Sequence, residues 1–293
     1  MTQEERNALQ RWAEHHKALA ADVPVEDWLS QSEIDKKRKK LEEDPIKWIK
    51  YFFPKYAKYE FAPFHVRAIK RVIEHDEWYE VLSWSRELAK STVAMFICMY
   101  LALTKRKRFF VLASATIDSA KRLLAPYKIN FESNPRIRQF YGSQVTLGQW
   151  TDGEFTAKCG AKFVALGAGS APRGARNEEV RPDVIYMDDY DTDEDCRNPE
   201  TLKKKWDWFE ASLYPTRSIS EPTLILWCGN IIAKDCCIKK AGAKARHWDI
   251  VNIRDKDGHS TWPAKNTEEQ IDTVLSNIST KSAQAEYFNN PVS

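Results

Sequence analysis

A lysine, a hydroxyl group and a predicted helix start stand together in this sequence, directly after a predicted strand. Lys90 and Ser91 begin an apolar helix, and the strand before them is predicted over residues 79–82. A phosphate-binding turn needs the N–H groups of a helix N-terminus, an ammonium group and a hydroxyl that can reach Mg²⁺. Trp84 and Ala89 occupy the two positions where the consensus turn has glycine. The pattern predicts a phosphate turn of unusual composition, and an ordinary strand-to-helix turn is the alternative.

Two carboxylates end a second apolar strand. The run PDVIYMDD closes on Asp188 and Asp189. A site for Mg²⁺ and a nucleotide requires one carboxylate for the metal and its waters, and another that polarises the attacking water. An acidic loop that caps the strand is the alternative, because further acidic residues follow. A calcium loop of the EF-hand type is excluded, since Glu194 stands where such a loop needs glycine.

A third apolar strand, predicted over residues 223–227, leads into a small turn that carries an amide. The sequence there reads Cys228, Gly229 and Asn230. An amide at this place can contact a γ-phosphate or the attacking water, although asparagine is also common in turns. The three motifs follow separate strands in the chain order expected of one shared site.

The composition limits the classes of protein that fit. The chain has 293 residues, with 45 Lys and Arg against 42 Asp and Glu and a net charge of +3. No apolar run reaches the roughly 18 residues that cross a bilayer, so we expect a soluble intracellular protein. The six cysteines show no CxxC spacing, which argues against a zinc site or a disulfide framework. Basic runs at residues 36–40 and 105–108 are either phosphate contacts or ordinary solvated segments.

Strands and helices alternate from about residue 61 onward. Strands are predicted over residues 79–82, 109–113, 162–166, 184–187, 223–227 and 248–253, and helices over 63–75, 90–104, 117–131 and 200–213. The strands are continuously apolar, which is typical of a mainly parallel sheet covered by helices on both faces. A helical preface precedes this region, with a helix start at Asp44-Pro45. The sequence predicts an α/β fold.

The joint order of the motifs resembles the N-terminal ATPase domain of the large terminase subunit of tailed bacteriophages. Members often carry a phosphate turn of the form S-R-x-x-x-K-[ST]-T, which reads SRELAKST here, over residues 85–92. The resemblance continues through residues 114–116, 172–176 and the two polar strand ends, and it covers roughly residues 45–290. It implies a RecA-like P-loop NTPase fold of the ASCE type.

The resemblance also implies which residues bind ATP and Mg²⁺. The nucleotide would be held by Ser85, Arg86, Glu87, Leu88, Ala89, Lys90, Ser91 and Thr92. Ser91 and Asp188 would hold Mg²⁺, and Asp189 would activate the attacking water. Many relatives have glutamate at the position of Asp189. Asp191, two residues on, is therefore the alternative catalytic carboxylate.

Three further roles follow from the same resemblance. Arg86 would stabilise charge on the transferring phosphoryl group, with Arg173 or Arg176 of a neighbouring subunit as the alternative source. Asn230 would couple hydrolysis to movement. His65 would contact the adenine base, and a histidine on a helix surface is the alternative interpretation.

The implied function is a motor that couples Mg-ATP hydrolysis to translocation of double-stranded DNA into a procapsid. Its expected partners are the portal protein, the small terminase subunit and further copies of the chain in a ring, a pentamer, in the host cell cytoplasm. The expected domains are a helical extension (1–58), a P-loop ATPase core (59–266) and a C-terminal helical segment leading to a linker (267–293). The family's RNase H-like nuclease domain is expected to be absent, because the chain stops at Ser293.

Two other functions stay open on the sequence. A helicase-type ATPase shares the RecA-like core but requires a second such domain, for which the chain leaves little room. A nucleotide-binding scaffold without turnover is the other alternative. The missing glycines and the aspartate at position 189 are the features that favour it.

Overall fold

The N-terminal preface is helical, and local capping defines its helix starts. The computed structural model describes residues 2–21, 23–172 and 180–292. The preface contains α1 (Gln3–Ala21), α2 (Gln31–Glu42) and α3 (Pro45–Phe52). Ser30 and Glu33 form a capping box at the start of α2. Asp44 caps α3 and Pro45 occupies its first position, so the predicted helix start is confirmed.

The region after the preface alternates strands and helices. The strands are β1 (Trp78–Trp84), β2 (Phe109–Ser114), β3 (Glu154–Thr156), β4 (Lys162–Gly167), β5 (Val184–Asp188), β6 (Leu224–Cys228) and β7 (His247–Val251). The helices are α4 (Pro63–Ile73), α5 (Lys90–Leu103), α6 (Ile117–Ser133), α7 (Pro135–Tyr141), α8 (Asp193–Cys196), α9 (Pro199–Asp207), α10 (Cys237–Lys244), α11 (Glu268–Ser276) and α12 (Thr280–Tyr287).

Within the residues that the structure describes, seven strands form one sheet in the order β3-β4-β2-β5-β6-β1-β7. Every neighbouring pair is parallel except β3 with β4 at one edge. The strand β6 lies between β1, which leads into the predicted phosphate turn, and β5, which carries the paired carboxylates. This arrangement confirms the predicted fold class of a mainly parallel sheet flanked by helices.

Both faces of the sheet are buried, as the continuous apolar strands predict. On β2, Phe110 and Leu112 belong to the core on one face, while Phe109 and Val111 belong to the core on the other. The helix α5 is apolar all round and is buried from Val93 to Leu103. Its 14 residues are fewer than the roughly 20 that a membrane-spanning helix needs. None of the helices within the described residues has both the length and the hydropathy to cross a bilayer.

A buried carboxylate joins α4 to the central strands. Glu80 of β1 is fully buried and accepts hydrogen bonds from Arg71 Nε at 2.7 Å and from a terminal Arg71 nitrogen at 3.1 Å. His247 Nδ1 of β7 lies 2.8 Å from the same carboxylate, and the Trp78 indole donates to it at 3.0 Å. These partners offset the cost of burying the Glu80 carboxylate. The ion pair with Arg71 holds α4 against β1, the strand that leads into the phosphate turn.

The structure departs from the predicted elements in two ways. The helix predicted over residues 200–213 ends at Asp207, and a π-helical segment (Trp208–Leu213) and a 3₁₀ turn (Tyr214–Thr216) follow it. The short elements β3, α7, α8 and α10 were not predicted, because three to eight residues are too few to show a periodic apolar pattern.

Candidate active site

The polar motifs meet at one edge of the sheet. Because β1, β2, β5 and β6 are parallel, their carboxyl ends lie together. A cavity of about 630 Å³ opens there, and its lining includes Lys90, Ser91, Asp188, Asp189 and Asn230. Ligands of open α/β sheets bind at this edge. The sequence motifs are therefore brought to one place, as their order predicted.

The turn after β1 keeps a glycine-like backbone without glycine. Glu87 has φ 70° and Ala89 has φ 62°, both in the left-handed region. That conformation costs a residue with a Cβ about 1–2 kcal/mol. Ala89 directly precedes α5 and gives it no side-chain cap, so the first N–H groups of the helix are suited to an anion. The backbone of this turn thus has the conformation that a phosphate-binding turn needs.

A hydrogen bond links the turn to the paired carboxylates. Ser91 Oγ donates to Asp188 Oδ2 at 2.7 Å, and the Tyr186 hydroxyl donates to the same oxygen. Asp188 is 4% exposed. Burial, and then the charge of the neighbouring Asp189, raise the pKa of Asp188 to about 7. A bound cation favours the ionised carboxylate, so this donor set suits a divalent metal.

Asp189 and Asp191 lie in different surroundings, although only one residue separates them. Asp189 has φ 43° and an exposed side chain that lines the cavity. Asp191 accepts hydrogen bonds from the backbone N–H groups of Cys237 at 2.8 Å and of Ile238 at 2.9 Å, which caps α10. The left-handed residue breaks the extended course expected after β5, so the two carboxylates do not share one side. Both residues line the cavity, but only Asp189 brings to it a carboxylate that is not engaged in capping.

Arg86 and Asn230 both contact a third residue, Glu286. The Arg86 guanidinium forms an ion pair with Glu286 of α12, and Asn230 Nδ2 donates to the Glu286 carbonyl at 2.7 Å. Glu286 lines the same cavity. No sequence pattern around Glu286 distinguishes it from a solvated helix position, so the sequence alone does not indicate it.

A second arginine in the cavity was also missed. Arg122 of α6 lines the cavity and donates to Ser119 Oγ at 3.1 Å. The segment of residues 114–116 indicates the position of Arg122 in the sequence, because its threonine caps α6, the helix that bears Arg122. A helix that begins at the carboxyl end of β2 carries its first turns past the site.

His65 lies beneath the turn, and its exposure is only 1%. Its Nδ1 accepts from the Ala62 N–H at 3.0 Å, so the proton is on Nε2, which donates to the Leu88 carbonyl at 2.9 Å. Burial lowers the pKa of His65 to about 4, which keeps the ring neutral. Both ring nitrogens are engaged, and neither remains for the adenine contact that was expected.

The other predicted site residues lie on or beside the turn. Ser85 is buried and donates its N–H to the Val251 carbonyl at 2.9 Å, and Leu88 is fully buried. Glu87 is exposed and pairs with Lys265 at 2.7 Å. Thr92 follows Ser91 in the first turn of α5. Arg173 and Arg176 fall outside the described residues.

A mainly apolar cavity of about 340 Å³ borders the turn at Glu87. Its lining includes Tyr59, Ile253, Leu275 and Tyr287. Within the described part of the chain, no cluster of three or more His, Cys, Asp or Glu side chains is arranged to bind a metal. A metal at Ser91 and Asp188 would therefore draw its other ligands from water and phosphate, as Mg²⁺ commonly does.

Comparison with known proteins relates the fold to one class. No family model matches the chain, and no curated protein matches its sequence. Among solved structures, the chain is similar to the large terminase of bacteriophage HK97, with a TM-score of 0.60 and 14% identity over 85% of this chain. This chain spans about half the length of the HK97 terminase, 55% of it. A variant of the large terminase ATPase domain of Thermus phage P74-26 has a TM-score of 0.50 and 13% identity, over 83% of this chain and 98% of that one.

These findings define the class as an α/β fold with a mainly parallel sheet and a helical N-terminal preface. Within that class, the chain has the fold of the phage large terminase ATPase domain. The resemblance predicted from the sequence motifs is thereby confirmed at the level of the fold.

The raised pKa of Asp188 predicts how stability depends on pH. Between the ordinary value of 3.8 and about 7, the folded protein retains a proton that the unfolded chain has lost. The free energy of unfolding therefore falls as pH rises through this window. Asp188→Asn removes that contribution, so the variant should gain stability relative to the unaltered protein from about pH 4 to pH 7.

Urea unfolding at several pH values, without divalent cations, measures this difference. Asp193→Asn changes an exposed carboxylate at the rim of the same cavity and is the matched control. A stability difference for Asp188→Asn that stays constant with pH would contradict the prediction.

Proposed function

We propose that this chain is the ATP-hydrolysing motor domain of a viral DNA-packaging terminase. The observation that carries the proposal is the 2.7 Å hydrogen bond from Ser91 to Asp188, at the start of a helix without a side-chain cap. It joins a phosphate-type turn to a buried carboxylate, which is the arrangement that a Mg²⁺-nucleotide site needs. The fold shared with a terminase ATPase domain supports the same conclusion.

In the proposed site, the turn binds the phosphates of ATP. The N–H groups at the start of α5 and the Lys90 ammonium contact phosphate oxygens. Ser91 and Asp188 hold Mg²⁺, which neutralises charge on the phosphates when bound. Thr92 and the turn backbone over residues 85–89 complete the phosphate contacts.

Asp189 is the proposed general base for the attacking water. Its side chain is exposed to the cavity, whereas both oxygens of Asp191 are engaged with α10. Arg86 contributes positive charge to the transferring phosphoryl group. Asn230 lies in the turn after β6, beside these groups, and couples hydrolysis to movement of the segment that it contacts.

The adenine base of the nucleotide is assigned to the 340 Å³ cavity beside Glu87. Tyr59, Ile253 and Tyr287 provide the apolar surface that a purine requires. In this assignment His65 supports the turn from below through its bond to the Leu88 carbonyl. The residues of this cavity, and not His65, make the proposed adenine contact.

The proposed motor acts on double-stranded DNA and moves it into a procapsid. Its proposed partners are the portal protein, the small terminase subunit and further copies of this chain in a pentameric ring, in the cytoplasm of the host cell. The domain boundaries predicted at residues 58 and 266 are part of the proposal. The isolated chain should be weakly active or inactive as an ATPase until assembled.

The DNA contact is assigned to the basic run over residues 105–108. The run lies between α5 and β2 and borders a cavity of about 520 Å³, which Arg181 also lines. Lys107 is buried and donates to the carbonyls of Asp76 and Pro222, so it has a structural role. Lys105, Arg108 and Arg181 are exposed and carry the charge that is suited to phosphates.

The basic run at residues 36–40 differs from this surface. Lys37 pairs with Glu26 at 2.6 Å, and Arg38 donates to the Phe140 carbonyl at 2.8 Å. These side chains join α2 to neighbouring segments. The proposed DNA contact does not include this run, whose Lys36, Lys39 and Lys40 are exposed.

Lys90→Ala should abolish ATP hydrolysis without unfolding the protein, because it removes a phosphate ligand from a half-buried position. Phosphate release in saturating ATP and Mg²⁺ with duplex DNA measures turnover, and circular dichroism checks the fold. Lys234→Ala, at an exposed position, is the control. Unchanged turnover in Lys90→Ala would contradict the phosphate assignment. Nucleotide binding without any turnover in the unaltered protein would favour the scaffold alternative.

Asp189→Asn should remove turnover and leave ATP binding intact, because the amide cannot accept the proton of the attacking water. Asp191→Asn should have a mild effect on turnover. Its main effect should be a loss of about 1 kcal/mol of stability, because the amide has one acceptor oxygen and can accept from only one of the two N–H groups at the start of α10. Single-turnover hydrolysis, ATP binding and urea unfolding separate these effects. The reverse pattern would assign the catalytic role to Asp191.

Binding of duplex DNA should weaken steeply as salt increases, because the proposed contacts are to phosphates. Removing the exposed charges with Lys105→Ala, Arg108→Ala and Arg181→Ala should weaken binding at every sequence tested. It should also reduce the slope of log K against log salt by about one per lost contact.

A control variant removes three exposed lysines elsewhere, with Lys203→Ala, Lys204→Ala and Lys234→Ala. Its net charge is the same as that of the first variant. Fluorescence anisotropy with a labelled duplex measures both variants. Equal weakening in the two would mean that net charge, rather than this surface, determines the affinity.

A further inference from the structure

Glu286 contacts two residues of the proposed nucleotide site at once. Its carbonyl accepts from the Arg86 N–H at 3.1 Å and from Asn230 Nδ2 at 2.7 Å. Its carboxylate pairs with the Arg86 guanidinium and lies 3.4 Å from Asn230 Nδ2. Glu286 therefore joins the phosphate turn to the turn after β6.

The chain around Glu286 is fixed across three strand ends. Asn289 Nδ2 donates to the Ser83 carbonyl at 2.8 Å, and Asn289 Oδ1 accepts from the Ile231 N–H at 2.9 Å. The Ile253 N–H donates to the Tyr287 carbonyl at 3.0 Å. The end of α12 and the residues after it are thus docked on β1, β6 and β7 through contacts next to the turn.

Arg86 has two possible anionic partners at this place. Its side chain is 63% exposed and borders the cavity that is assigned to the phosphates. A guanidinium group binds carboxylates and phosphates with the same planar set of donors. A phosphate that engages Arg86 must therefore compete with the Glu286 carboxylate, whose charge also opposes an incoming anion.

We propose that Glu286 is a positioning residue that competes with nucleotide phosphate for Arg86 and thereby links nucleotide binding to docking of α12. This inference rests on the proposed function, since it needs a phosphate in the cavity. Linkage is reciprocal: a nucleotide that withdraws Arg86 from Glu286 loosens α12, and loosening α12 strengthens nucleotide binding by the same factor. The C-terminal segment then responds to the state of the site through Arg86 and Asn230.

Glu286→Gln tests the competition, because it removes the charge and keeps the backbone carbonyl that Asn230 contacts. We expect ATP to bind about two- to fivefold more tightly, the range of a partly exposed ion pair. The KM for ATP should fall with kcat unchanged within about twofold. Glu269→Gln, on an exposed position of α11, is the matched control and should change neither. An unchanged affinity in Glu286→Gln would overturn the proposal, as would a kcat reduced as far as in Arg86→Ala.

A double-mutant cycle tests whether the effect passes through Arg86. Arg86→Ala alone should lower kcat by about 10³-fold. In the Arg86→Ala background, Glu286→Gln should no longer tighten nucleotide binding through this contact. A tightening of the same size in both backgrounds would overturn the proposal, because Glu286 would then act without Arg86.

Hydrogen exchange without nucleotide provides a readout that is independent of activity. Amides of residues 280–287 should exchange about two- to fivefold faster in Glu286→Gln and in Arg86→Ala, because each loses the ion pair that docks α12. Unchanged exchange in both variants would overturn the proposal. If the unaltered protein binds no nucleotide, the proposed function fails and the competition fails with it, whereas faster exchange in the variants would still establish the docking contact.

Discussion

The left-handed backbone at Ala89 is the constraint on which the site depends. It turns the chain from β1 into α5 within five residues and leaves the helix start without a side-chain cap. Such a conformation costs alanine about 1–2 kcal/mol and persists only where surrounding contacts fix it. The bond from His65 to Leu88 supports the turn from beneath, and Lys265 holds Glu87 from the side. The missing glycines are thus compensated by packing around the turn.

Charge determines what the edge of the sheet can bind. The carboxylates of Asp188, Asp189 and Glu286 border one cavity together with Lys90 and Arg86. Burial and the charge of Asp189 raise the pKa of Asp188, so its ionised form is unfavourable without a nearby cation. A metal ion beside Asp188 and a phosphate beside Lys90 would each relieve part of this imbalance. The electrostatics therefore favour a metal and an anion bound together.

Backbone direction separates residues that are close in sequence. The positive φ at Asp189 ends the extended course of β5, and the next two residues turn toward α10. Both Asp189 and Asp191 border the cavity, but only Asp191 caps a helix with its two carboxylate oxygens. The same principle places Asn230 in the site, because its turn follows β6 directly and the Gly229 N–H donates to the Leu82 carbonyl of β1.

The sequence by itself determined the buried strands, the apolar helix α5 and the elements that bear Lys90, Ser91 and Asp188, because full burial demands continuous apolar runs and polar residues stand out where such runs end. It did not determine the short elements, the place of His65 or the role of Asp191. Only the tertiary structure decided those, and it alone joined Arg86 to Glu286, 200 positions apart. Contacts between residues so distant in sequence depend on how helices pack against the sheet, and local sequence patterns do not indicate that packing.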